Sequence, residues 1–155
     1  MEYFTVKFIH VLGVVLFLGN IIVSALWKTQ ADKTGNPMII AFACRLVNMT
    51  DLAFTALGGA LITIGGIGLF HATGIAISDA PHLTIGISLF GMAAMLWVTG
   101  LVPLQIYMSK IASRTVQVGD QTMPPAYEKC RKLWNIIGLI AVILPLATLY
   151  FMIYR

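Results

Sequence analysis

Charge is what this chain lacks. Only 10% of its 155 residues are charged, against 59% that are hydrophobic, and the mean hydropathy is +0.89. Soluble domains carry about 25% charged residues, so the sequence excludes a water-facing globule with an ordinary surface. Cysteine is nearly missing too. Cys44 and Cys130 have no zinc-ligand spacing and read as small apolar packing residues. Nucleophile triads, a GxGxxG after a strand, a P-loop and HExxH are all absent, which removes the common soluble enzyme classes. Of the six acidic residues, only Asp51 and Asp79 lie near the apolar segments, and both read as helix-end residues. No chain of buried carboxylates marks a proton pump.

What is present is four charge-free windows. Lys7 and Lys28, Asp51 and Asp79, Asp79 and Lys110, and Lys132 and Arg155 bracket them. Each holds about 20 to 30 residues, and a helix needs about 20 to cross a hydrocarbon core. The windows predict spanning helices near 4–27, 52–70, 83–109 and 133–154. Their apolar runs are continuous rather than alternating, which excludes barrel strands. The fold class is therefore all-α, an antiparallel four-helix transmembrane bundle forming one integral membrane domain over 1–155. Val23-Ser24-Ala25 resembles a cleavage site, but the apolar region is too long for a signal peptide and Glu2 precedes it, so the first span reads as retained.

The net charge of +4 is a topology signal rather than a nucleic-acid footprint. Lys28, Lys33 and Arg45 fall around loop one, and Lys110, Arg114, Lys129, Arg131 and Lys132 around loop three, leaving Lys7 and Arg155 for the other side. Such a bias puts loops one and three in the cytoplasm and both termini outside.

Local signals refine the picture. Gly35-Asn36-Pro37 breaks the chain in loop one, and Asp79-Ala80-Pro81 reads as the start of helix three. MIIAFACRLVNMTD is compatible with an amphipathic extension of helix two, or with a cap at Thr50 or Asp51. An Arg45–Asp51 contact would need a poor i,i+6 spacing. Loop three, SRTVQVGDQTMPP, reads as unstructured. Pro103 and Pro145 predict kinks, and Trp134, Tyr150 and Tyr154 an aromatic belt. In LGGALITIGGIG, Gly59, Thr63 and Gly66 share a face suited to close packing, within the bundle or across a homodimer.

All three histidines map to the outer half: His71 ends helix two, His82 begins helix three, and His10 lies ~10 Å inside helix one. Lys7, His10, Gly13, Phe17, Asn20 and Ser24 recur at steps of three or four and form one polar stripe. Gly13 would leave a slot beside the imidazole, and Lys7 would meet an anionic group such as a haem propionate. Against this stand plainer readings: His10 bonded to a neighbouring helix, Lys7 snorkelling, Asn20 bridging helices, and His71 and His82 as interfacial loop residues.

VKFIHVLGVVLFLGN, RLVNMTDLAFT, LVPLQ and AYEKCRKLW, in that order, resemble a family of small bacterial predicted integral membrane proteins classed as a domain of unknown function. That family is distantly similar to the copper-resistance D and HemJ membrane proteins, which share a KxxHV-like first helix. For His10 the resemblance implies an axial ligand of haem b, and by HemJ alone a haem-dependent oxidoreductase activity. The chain departs at Asn20, where relatives show a glycine. The resulting expectation is a haem b or other redox-cofactor protein for electron transfer or redox sensing. Its site is His10, Lys7 and Gly13, with His82 or His71 as second ligand. Two alternatives stand beside it: a non-catalytic accessory subunit of a larger membrane complex with no cofactor, and copper handling.

Overall fold

The computed structural model describes residues 2–75 and 80–153. Four helical rods run through it: Tyr3–Lys33, Pro37–Thr73, Pro81–Val118 and Pro125–Ile153, each long and apolar enough to cross a membrane. The first and last are single helices, α1 (Tyr3–Lys33) and α6 (Pro125–Ile153). The middle two are each interrupted by a π-helical turn. α2 (Pro37–Thr50) passes through Asp51–Ala56 into α3 (Leu57–Thr73), and α4 (Pro81–Leu96) through Trp97–Leu101 into α5 (Val102–Val118).

The rods are longer than the apolar windows because polar sequence continues them at both ends. MIIAFACRLVNMTD is the helical extension α2, begun by Pro37 and capped by Asn36, whose Oδ1 accepts from Met38 N at 2.9 Å. Asp51 therefore caps nothing; it sits inside a continuous rod. Most of the first half of loop three is likewise helical. α5 runs to Val118 and stops at Gly119, whose φ of +79° suits a residue without Cβ. Helix three opens at Pro81 after Ala80, as predicted, while Asp79 and the belt residue Tyr154 lie outside the described residues. Trp134 is no belt residue: it is buried in the core, while Tyr150 is exposed.

Packing explains the two π turns. α3 lies on α1 and α4 on α6, whereas α2 lies on α5. Each middle rod thus shifts its main neighbour at its π turn, while α2 keeps a lesser contact with α1 and α5 with α6. The wider turn offsets the helix and is a common device near functional sites. Pro103, which has no N–H to give, lies just past the second one, so the predicted irregularity takes this form.

Glycines set the α1–α3 seam. A Cβ on Gly65 would stand 2.6 Å from His10 N, one on Gly58 2.8 Å from Phe17 N, and one on Gly68 2.6 Å from a Val6 methyl. The packing face is Gly58, Gly65 and Gly68, one position away from the predicted Gly59, Thr63 and Gly66. Thr63 is exposed and returns its hydroxyl to Gly59 O at 2.9 Å. The seam lies within one chain. Outward faces carry Ile64, Ile67, Leu139 and Ile143, all exposed and apolar, as lipid contact requires.

Candidate functional site

Among the described residues, fully buried polar side chains lie in one half of the bundle only. Among the described residues, α1 buries Val6, Gly13 and Phe17 toward loop two, then Asn20, Ser24 and Lys28 toward loops one and three. Polar burial within an apolar bundle is costly, so where each group finds its partner decides what the site can do.

Asp51 is the centre. It opens the first π turn and is 6% exposed. Oδ1 accepts from Asn20 Nδ2 at 2.8 Å and from Thr55 Oγ1 at 3.1 Å. Oδ2 accepts from Gln105 Nε2 at 3.0 Å and from Trp97 Nε1 at 3.3 Å. Asn20 Nδ2 also donates to Thr55 Oγ1 at 2.8 Å. All four donors are neutral. They come from α1, both π turns and α5, so one carboxylate ties the middle of three rods together. Hydrogen bonds to a charged group contribute about 1.5–3 kcal/mol each, which offsets a desolvation penalty of several kcal/mol.

A second polar group lies further toward loops one and three. Lys28, 2% exposed, reaches the Asp32 carboxylate at 2.7 and 2.8 Å and Tyr127 OH at 2.8 Å. Tyr127, fully buried near the start of α6, donates to Asp32 Oδ1 at 2.7 Å. Lys28 Nζ also stands 5.3 Å from the Tyr127 ring centre and 5.5 Å from that of Trp134, within cation–π range. Cys44 Sγ is 3.6 Å from Tyr127 OH.

Between the two groups is a cavity of ≈ 10 Å³, lined by Lys28, Cys44, Val47, Gln105, Met108 and Trp134. Trp134 Nε1 is buried without a hydrogen-bond partner among the protein groups. Gln105 and Lys28 both border this cavity, whereas neither Asp51 nor Asp32 lines it.

The predicted histidine site is arranged differently. His10 is half-buried, and its Nδ1 lies 2.8 Å from Ile62 O, so it bonds the neighbouring helix. Space beside Gly13 is filled by α3: a Cβ there would meet Ile62 N at 2.6 Å and Gly58 O at 2.8 Å. The expected slot is a helix–helix contact. His71 is exposed and lies ~9 Å further along α3 than Gly65, the residue against His10. His82 is half-buried on α4. Among the described residues no three His, Cys, Asp or Glu side chains come within metal-holding reach of one another. Lys7 is exposed, with Nζ 5.6 Å from the Tyr3 ring centre.

Sequence reasoning found Asn20 as a helix bridge but missed its partner. Asp51 was hidden at the edge of a charge-free window, and Lys28 and Asp32 among loop charges. The available signals were the i,i+4 spacing of Lys28 and Asp32, and Gln105 within LVPLQ.

Fold and site together define a multi-pass helical membrane protein with an ionisable core in one half. The chain belongs to the DUF2269 family of predicted integral membrane proteins, whose family model matches residues 4–155. No curated protein matches the chain significantly, and no solved structure does.

Proposed function

We propose that this is a proton-responsive membrane protein with Asp51 as the proton-binding group. One observation carries the reading: Asp51 is buried with four neutral donors and no cation. Among the described residues the buried charged side chains are Lys28, Asp32 and Asp51, one positive against two negative. The shell also suits both states, because the Asn20 and Gln105 amides can turn to offer a carbonyl to a protonated carboxyl. An intramembrane ionisable residue is a functional candidate by default. Binding a proton would loosen the bonds that tie α1 to the π turns.

Infrared difference spectroscopy on the reconstituted protein tests this. Acidification is expected to raise a protonated-carboxyl C=O band that Asp51→Asn abolishes; a band of equal size in that variant would refute the assignment.

A second reading rests on His10. A carbonyl only accepts, so the bond to Ile62 O makes Nδ1 the donor and leaves the neutral ring's lone pair on Nε2. Histidines that ligate metals are oriented in this way. The reading is a haem b or copper site at His10, with Lys7 beside it and His82 or His71 as further ligand. Its test is a Soret band from haem-replete cells, lost in His10→Ala; colourless protein would end it for haem, and metal analysis decides copper.

The positive bias of loops one and three supports placing them in the cytoplasm of a bacterial cell. Cysteine labelling at Thr34 and Gln121 checks this: reagent that does not cross the membrane should reach them only after lysis.

A further inference from the structure

We infer that the small cavity where the four rods meet is a binding site for one water molecule, which bonds the Trp134 indole to the Gln105 amide. The site stands whether or not Asp51 takes up a proton.

Trp134 is 5% exposed, and its Nε1 is buried with no acceptor in reach among the described protein groups. A buried donor left unpaired is costly, and native structures nearly always give it a partner, from protein or from water. Trp134 borders the cavity from α6, with Lys28 on α1, Cys44 and Val47 on α2, and Gln105 and Met108 on α5. All six residues are buried. A volume of ≈ 10 Å³ is about the space of one water, so the cavity takes a single water and nothing larger. Trp27 Nε1, also buried without a partner, does not border it.

The hydrogen-bonding inventory decides what the water meets. Lys28 directs its ammonium at both Asp32 oxygens and at Tyr127 OH, so its three N–H bonds are spent. Tyr127 gives its one hydroxyl hydrogen to Asp32. It is therefore the acceptor toward Cys44, and the sulfur keeps only weak lone pairs. Gln105 gives an Nε2 hydrogen to Asp51 at 3.0 Å. An ionised carboxylate only accepts, so this bond turns Nε2 toward Asp51 and leaves Oε1 as an acceptor that no described group uses.

Gln105 Oε1 is thus the strongest acceptor left at the cavity, and Trp134 Nε1 is the donor left without a partner. A water accepts from the indole, gives one hydrogen to Oε1 and turns the other to the Cys44 sulfur. Three bonds are the ordinary number for a buried water. The bridge ties α6 to α5, and it favours the amide orientation in which Nε2 meets Asp51.

Ultraviolet resonance Raman spectroscopy of the protein in nanodiscs reads indole N–H bonding. The spectrum of wild type minus Trp134→Phe isolates Trp134 from Trp27 and Trp97. Its N–H band is expected at the hydrogen-bonded position. No protein acceptor is in reach, so a band at the free position overturns the site. A structure of the wild-type protein that resolves ordered water needs no variant. One peak should lie within about 3.2 Å of both Trp134 Nε1 and Gln105 Oε1. An empty cavity, or a peak that touches only one of the two, overturns the inference.

Discussion

Asn20 and Asp51, 31 residues apart in the chain, meet at 2.8 Å in the middle of the bundle. The amide of one bonds the carboxylate of the other and the Thr55 hydroxyl beside it. This pair fixes α1 against the first π turn, and it makes the polar stripe of α1 half of a site rather than a site by itself.

Removing Asn20 takes one of two donors from Asp51 Oδ1. Asn20→Leu should destabilise the protein by about 1–3 kcal/mol, the cost of leaving a buried acceptor short. Thermal unfolding in detergent reads it, with Asn20→Leu/Asp51→Leu recovering part of the loss.

The glycine seam makes a sharper contrast. Gly65→Ala places a methyl 2.6 Å from His10 N and should cost about 1–3 kcal/mol, since the contact is backbone and cannot move aside. Gly138→Ala, with nothing within 4 Å, should be neutral or stabilise by up to about 1 kcal/mol. Equal effects at the two positions would contradict the α1–α3 packing.

Much of this fold is written in the hydropathy. Four charge-free windows are four rods because a charge within a span needs a partner, and most spans have none. Rod ends are less legible. Helix continues past the apolar window wherever tertiary contacts support it, as α2 does on α5. The site was half readable. Asn20 stood out as a polar residue amid apolar ones, and its bridging role holds. Asp51 and Lys28 did not stand out, because a charge at a window's edge looks like a loop charge until a neighbouring rod is seen to cover it. Counting residues also omits two features at His10: its ring bonds Ile62 O, and the space beside Gly13 is filled by α3.

The Lys28–Asp32 pair should behave as a buried ion pair, each side chain being 3% exposed. Lys28→Met alone is expected to cost about 3–5 kcal/mol by leaving Asp32 unpaired. Combined with Asp32→Leu, much of that loss should return. A double-mutant cycle by thermal unfolding checks the coupling.

The two π turns share Asp51 through Thr55 and Trp97. Trp97→Phe removes a donor at 3.3 Å and leaves three, so its cost should be at the low end, about 1 kcal/mol. The same variant should shift the Asp51 carboxyl band, because that oxygen then accepts one bond fewer.

The most direct measurement is the acid-minus-neutral infrared spectrum of wild type beside Asp51→Asn. The account predicts a carboxyl band present in the first and missing in the second, with both proteins folded by their amide bands. Identical spectra would mean that the buried carboxylate takes up no proton, and that its four donors serve the scaffold alone.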